Sequence, residues 1–425
     1  MHIDEIYNKY FQELSRPEEY KKGMFIEVAG GIRKLSVVPQ AGGSFEEIFI
    51  PWQKESLYRN YGKDFTKDVI FKDMPVLDGE TLIPDHLNYQ PVIGRYLNTY
   101  HPLKYQPIHG ANWIHIEKLF QHIFGDQYEL GLDYFQLLYT HPMQHLPLLL
   151  LVSTENQTGK STFCNFIKKV FGQNVTGVNS EGLRNRFTST WMNKLVVYVE
   201  EQLLNREGDG DLIKNLVTAF FGQSEAKGKD RTEIPLFAKL IMTSNNIFNP
   251  IIIREDDTRV WVRQVPPLPP RIPGSPDFLE ECEKEIPYFL DFICNREISI
   301  KCEDRLWFRH ERIVTDAWRK IVNFCRSSIE KQAVELMLSI MENCQVEVLR
   351  FSNTDLLSLL KLEGIKVDRP AITQLLKERW KMTSPTKGRY DRYLQDFNHP
   401  DGFRCTSTTG RFYTFEKDFL QKLTV

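Results

Sequence analysis

Leu146–Gly172 reads LPLLLLVSTENQTGKSTFCNFIKKVFG, and this stretch decides the fold. Leu148 to Val152 form an unbroken apolar run, the pattern of a strand covered on both faces in a parallel sheet. Polar and small residues follow, then Gly159-Lys160-Ser161-Thr162. Phe163, Phe166, Ile167, Val170 and Phe171 come next at helical spacing, and Gly172 stands where a helix would end. Strand, tight loop, GK[ST] and helix is the context of a phosphate-binding loop. Its backbone N–H groups and the helix N-terminus capture an anion. Lys160 is expected to neutralise the β- and γ-phosphates of ATP, and the Ser161 hydroxyl to hold Mg²⁺. Thr154, Glu155, Asn156, Gln157, Thr158, Gly159 and Thr162 complete the expected cradle. Thr154, preceded by Ser153, stands where the first Gly of GxxxxGK[ST] is usual. The competing reading is a Gly-Lys turn before an ordinary helix.

Downstream, Lys194–Glu201 (KLVVYVEE) is a second buried-strand run ending in two acids. Ligands of open α/β sheets bind at the carboxyl ends of strands, where Glu200 and Glu201 would lie. One acid would hold the Mg²⁺ hydration shell and the other polarise the attacking water. A third run, Leu240-Ile241-Met242, leads into Thr243-Ser244-Asn245-Asn246. An amide at that strand end can bond γ-phosphate and lytic water; an Asn-rich turn is the alternative. Between these strands, Ala226-Lys227-Gly228-Lys229-Asp230-Arg231 suggests an exposed basic hairpin tip. Arg254 to Arg259 precede the alternating strand Val260–Val265. An Arg there is either an ion-pair partner of the nearby acids or a guanidinium offered to a neighbouring subunit's γ-phosphate. Pro266–Pro276 closes the core, with helices following to about Ile329.

Upstream, Asp4–Leu14 reads as a helix, FIEVAGGIRKLSVVP as two short strands around Gly30-Gly31, and FEEIFIPW as another. Pro75–Gln106, rich in Pro, Tyr and Asn, reads as an extended connector. Residues 1–105 are thus an accessory module, followed by two amphipathic helices, Trp113–Phe124 and Gln127–Tyr139. The net charge of −2 over 425 residues confines any nucleic-acid contact to local basic clusters. Seven scattered Cys without a CxxC pair favour reduced thiols over a disulfide frame or a Cys-based zinc site. His141 and His145 are spaced i, i+4, but Pro142 interrupts any helix between them. The opening MHIDEIYNKYFQEL lacks a secretory pattern, and no apolar run approaches the roughly 18 residues of a membrane span. The expectation is a cytoplasmic chain with no membrane contact.

Residues 331–425 read as a separate small domain: a helix over Lys331–Met341, a strand over Val346–Phe351, and a helix from Asn353. A third helix opens at Asp368-Arg369-Pro370, and a hairpin follows. This is the order of a winged helix. Between 369 and 411 stand nine Lys/Arg against four Asp/Glu. Arg369, Lys377, Lys381, Lys387, Arg389, Arg392 and Arg411 are candidates for phosphate contact, with the third helix in a major groove. A purely protein-binding winged helix is the alternative.

Taken together, TENQTGKST, LVVYVEE, AKGKDR, and LIMTSNN followed by DDTRVWV resemble, in order and spacing, the superfamily 3 helicases. The likeness is to the AAA+ P-loop motor of phage, plasmid and poxvirus-type primase-helicases, and covers about Tyr105 to Val265. It implies an α/β three-layer core over residues 146–270, preceded by a helical segment (106–145). A helical region (271–330) and a winged-helix domain would follow. It further implies Glu200 in the metal shell, Glu201 as the base, and Asn245 as the γ-phosphate sensor. Lys227 and Lys229, with Arg231 beside them, would grip DNA in a central pore. Arg259 would be an arginine finger acting in trans, with Arg254 and Arg263 as lesser candidates. Glu200 departs from the Asp commoner in the family. The implied activity is ATP hydrolysis by a homo-hexamer threading single-stranded DNA, with duplex origin DNA and a separate primase as further candidate partners. A regulatory or defence P-loop ATPase acting on proteins is the alternative.

Overall fold

In the computed structural model the described residues are 18–39, 45–184, 188–200, 209–225, 232–253, 257–268, 276–365, 367–382, 385–396, 399 and 402–423. The expected helix at Asp4–Leu14, Glu201, Arg254, and the basic tip with Lys227, Lys229 and Arg231 lie outside them. Described residues up to Lys104, with Tyr139–Met143 and Gly172–Asn174, form one compact unit, and the others form a second.

In the first unit, β1 (Phe25–Val28) and β2 (Gly31–Pro39) make a hairpin whose turn residues Ala29 and Gly30 both take positive φ, 50° and 79°. That turn has the twist antiparallel strands need. β3 (Phe45–Trp52) follows, then α1 (Lys54–Tyr61) and β4 (Val76–Leu77), giving a sheet of order β3-β2-β1-β4. The expected connector carries β4 and three further short strands, β5 (Gly79–Thr81), β6 (Val92–Ile93) and β7 (Tyr96–Asn98). Without periodic apolar residues, it is held by polar bonds, the buried amide of Asn98 among them. Asn98 Oδ1 accepts from the N–H groups of Ile83 and Tyr100, both at 3.1 Å. Its Nδ2 donates to the carbonyls of Ile83 (3.0 Å) and Gln90 (3.1 Å).

The second unit is a mixed α/β structure around a parallel sheet. Two helices lead in, α2 (Ile114–Phe124) and α3 (Tyr128–Thr140). Then come β8 (Leu148–Val152), α4 (Lys160–Phe171), β9 (Val175–Gly177), α5 (Ser180–Arg184), β10 (Val196–Val199) and α6 (Asp209–Thr218). A two-stranded ribbon, β11 (Phe221–Ser224) and β12 (Thr232–Pro235), precedes β13 (Lys239–Ser244) and β14 (Val260–Gln264). The parallel sheet has the order β14-β8-β13-β10-β9, so β13 separates the loop-bearing strand β8 from β10. Every residue of β8 and β13 is buried, as two-faced coverage demands. One face is aromatic: Phe120, Phe135, Phe163, Phe166 and Phe289 pack with ring centroids 4.9–6.2 Å apart. The other face is aliphatic, with Val197, Leu216, Val262 and Ile321 in one core cluster.

Two long helices follow, α7 (Pro276–Asn295) and α8 (Asp316–Asn343). Glu285 of α7 caps α2, accepting from the N–H groups of His115 (2.8 Å) and Ile116 (3.1 Å). A carboxylate there suits the positive end of the helix dipole. Beyond α7, Arg296 bonds Asp133 Oδ1 at 2.5 Å and Glu129 Oε2 at 2.7 Å. Asp133 is fully buried and also accepts from the Ser299 N–H (2.9 Å), the Ser299 hydroxyl (2.5 Å) and the Ile300 N–H (3.2 Å). Truncating one partner of such a buried pair leaves the other charge uncompensated. Asp133→Ala should therefore lower unfolding free energy by about 3–5 kcal/mol. Urea denaturation checks this, and a loss under about 1 kcal/mol would mean the network is not buried as described.

α8 runs unbroken for 28 residues across the domain boundary expected at 330/331, because nothing in Ile329–Glu335 breaks a helix. Its cap Thr315 accepts from the Trp318 N–H and donates to the Val262 carbonyl of β14 at 2.6 Å, tying the helix to the sheet. Then follow β15 (Val348–Phe351), α9 (Asn353–Leu362), α10 (Arg369–Gln374), β16 (Thr386–Gln395), β17 (Phe403–Glu416) and α11 (Lys417–Lys422). The three strands form an antiparallel sheet of order β15-β17-β16. Ser352 and Asp355 make a reciprocal capping box on α9, and the Asp368 side chain caps α10.

Candidate functional site

The register aligns Val152 with Ser244 on one side and Gln264 on the other, so the carboxyl ends of β8, β13 and β14 share one edge. The loop from Ser153 to Gly159 leaves the sheet at that edge, and Lys160 opens α4. Thr154, Glu155, Asn156 and Gln157 are exposed, whereas Ser153, Thr158 and Lys160 are buried. Positive φ falls on Gln157 (58°) and Gly159 (88°) and not on Thr154. The position where the sequence departs from the GxxxxGK[ST] pattern therefore has no left-handed backbone that would demand Gly.

The Lys160 ammonium donates to Ser153 Oγ, to Thr158 Oγ1 at 3.1 Å and to Asn245 Oδ1 at 2.9 Å. Asn245 Nδ2 in turn donates to Asn156 Oδ1 at 2.6 Å. The end of β13 is thus joined to both the base and the rim of the loop. The next residue behaves differently. Asn246 Oδ1 accepts from the N–H groups of Phe248 (2.9 Å) and Asn249 (2.8 Å), a side-chain turn. Asn246 thus forms the turn, while Asn245 faces Lys160.

Ser161 is exposed in the first turn of α4, and Glu200 is exposed directly after β10. Burial pushes the Cys164 thiol of α4 upward, and the charge of Glu200 adds to that shift. β11 and β12 pair up to Ser224 and Thr232; the residues between Glu225 and Thr232, with Lys227, Lys229 and Arg231, lie outside the described residues.

Arg259 lies at the opposite sheet edge, where its carbonyl accepts from the Leu148 N–H. Five residues of extended strand separate that point from Ser153, roughly 16 Å. Its Nε donates to Asp257 Oδ1 at 2.9 Å, and the side chain is half-buried. Arg263 is buried near the loop edge and fixed by Gln127 Oε1 and Asp126 Oδ1, both at 2.8 Å. In the C-terminal part, Arg369, Lys377, Lys381, Lys387, Arg389 and Arg411 are exposed. Arg392 is half-buried, 3.8 Å from Asp355.

Sequence reasoning missed His122. It sits beside the apolar stripe of α2, and its Nε2 bonds the Thr158 carbonyl at 2.9 Å. No local pattern in the sequence marked it.

A parallel α/β core with a P-loop-like strand–loop–helix is the class defined by this fold and site. A family described as of unknown function (DUF5906) matches residues 151–263, the span from β8 to β14. No curated protein matches the sequence. Among solved structures, the apo structure of the NrS-1 C terminal region is similar at TM-score 0.53 and 14% identity, covering 92% of this chain and 95% of that one. An A form apo structure of the same region gives 0.51 and 16%, covering 89% and 94%. At such identities the likeness speaks for the fold.

Proposed function

We propose that this chain is an ATP-driven motor of the superfamily 3 helicase kind, working as a homo-hexamer on single-stranded DNA in mobile-element or phage replication. The observation that carries the reading is the Lys160–Asn245 contact of 2.9 Å. It brings a phosphate-neutralising cation and a γ-phosphate-sensing amide together at the carboxyl edge of the sheet. The strand order, with β13 between β8 and β10, supports an AAA+ core. In this reading the loop N–H groups and Lys160 bind the triphosphate, Asn245 orients the γ-phosphate and water, and Glu201 accepts the water proton. Ser161 and Glu200 are the residues that fit Mg²⁺, which keeps most of its shell as water and phosphate oxygens. When bound, it would neutralise charge on the β- and γ-phosphates.

The C-terminal domain is read as a winged helix on duplex DNA. Lys387 and Arg411 stand directly opposite each other in the β16–β17 ladder. Like charges so placed repel unless an anion is shared between them.

The test is ATP hydrolysis with and without single-stranded DNA at low salt, alongside particle mass with an ATP analogue. Stimulation by DNA, its loss in the Lys227→Ala/Lys229→Ala double variant, and a hexameric mass are the expected results. Hydrolysis indifferent to DNA would move the protein to the class of ATPases that act on protein partners.

A further inference from the structure

His122 belongs to α2, separated along the chain from the phosphate loop by α3 and β8, and the loop leans on it. The Thr158 carbonyl can only accept, so the 2.9 Å contact requires a proton on His122 Nε2. The same ring lies against Gly159, where an added Cβ would meet His122 Cδ2 at 3.6 Å and Leu268 Cδ2 at 3.5 Å. α2 and the chain after β14 thus both lie within contact distance of Gly159.

The direction of that peptide matters because it is trans and planar, so its C=O and N–H point opposite ways. A Thr158 carbonyl held toward His122 turns the Gly159 N–H away from α2. The left-handed residues Gln157 and Gly159 flank Thr158, the alternation that gathers successive N–H groups into an anion-binding concavity. The opposite orientation would aim a carbonyl oxygen at the phosphates and repel them. From this geometry we infer that His122 is a positioning residue of the nucleotide site, acting through the Thr158 carbonyl. It rests on the reading of the loop as a nucleotide site. Its ring makes the loop conformation depend on α2, an element outside the strand–loop–helix motif.

The hold involves no ligand atom, so two variants and two measurements separate the possibilities. Gln carries an amide donor at a reach similar to Nε2, whereas Leu fills the space without one. Hydrogen exchange of the 153–162 peptide without nucleotide should speed up in His122→Leu and stay near wild type in His122→Gln. With ATP, His122→Leu should raise KM roughly 3- to 10-fold with kcat little changed. One neutral hydrogen bond shared by ground and transition states would give that split. His122→Gln should restore KM. Equal exchange in wild type and His122→Leu, or a Gln variant as impaired as Leu at an unchanged melting temperature, would overturn the inference. Faster exchange in His122→Leu in a protein whose wild type neither binds nor hydrolyses ATP would uphold the loop contact and instead remove the nucleotide reading.

Discussion

Arg259→Ala is expected to retain ATP binding and to lose hydrolysis by roughly 10³–10⁵-fold, the range for arginine fingers. The geometry makes this a prediction about pairs of subunits. Arg259 is at the amino end of β14, about 16 Å along the sheet from the loop that starts at Ser153. It cannot reach its own chain's phosphates. A neighbouring copy could receive it once the 2.9 Å bond to Asp257 is exchanged for a phosphate oxygen. Mixing Arg259→Ala with Lys160→Ala subunits should then create some interfaces with an intact loop facing an intact finger. Steady-state hydrolysis of the mixture should exceed that of either variant alone. Verified mixed assemblies showing no recovery would refute the trans assignment.

Lys160→Ala should abolish turnover for a different reason. The ammonium is buried and bonded to Ser153, Thr158 and Asn245, so its removal takes away the cation and separates the loop from β13 together. Losing a single preorganised donor at a site of developing charge costs about 10²–10³-fold in rate. A full charge beside a triphosphate should cost at least that, with weakened binding besides. Circular dichroism and melting would confirm that the variant folds, and phosphate release would be followed with saturating ATP. Wild-type turnover in a folded Lys160→Ala protein would exclude this loop as the site.

The strand–loop–helix was legible because two signals coincide in one short stretch. Leu148–Val152 is apolar without alternation, and GKST follows at once. Both halves depend on local composition, which a sequence displays directly. Roles set by side-chain direction were not legible. Asn245 and Asn246 are chemically identical, and only the exit angle of the chain from β13 turns one to Lys160 and the other to its own backbone. Arg259 precedes β14 and Arg263 lies near its carboxyl end; their four-residue separation puts them toward different sheet edges. The Arg263 side chain is occupied by the α2–α3 turn, which no local pattern announces. His122 contacts a loop 36 residues away, a pairing that requires the packing of α2 on the core. The expected boundary at 330/331 falls within a continuous helix, so no Gly or Pro marks it.

That helix has a mechanical consequence. Twenty-eight residues at 1.5 Å each give α8 a length of about 42 Å, anchored at its start to β14 through Thr315 and built at its far end into the C-terminal core through Met337 and Ile340. A rigid rod with one end in the sheet acts as a lever. A tilt of about 10° at the Thr315 end would carry the other end some 7 Å, about the width of a base pair's minor groove opening. A small shift of β14 at Val262 would thus be enlarged at the C-terminal end of α8.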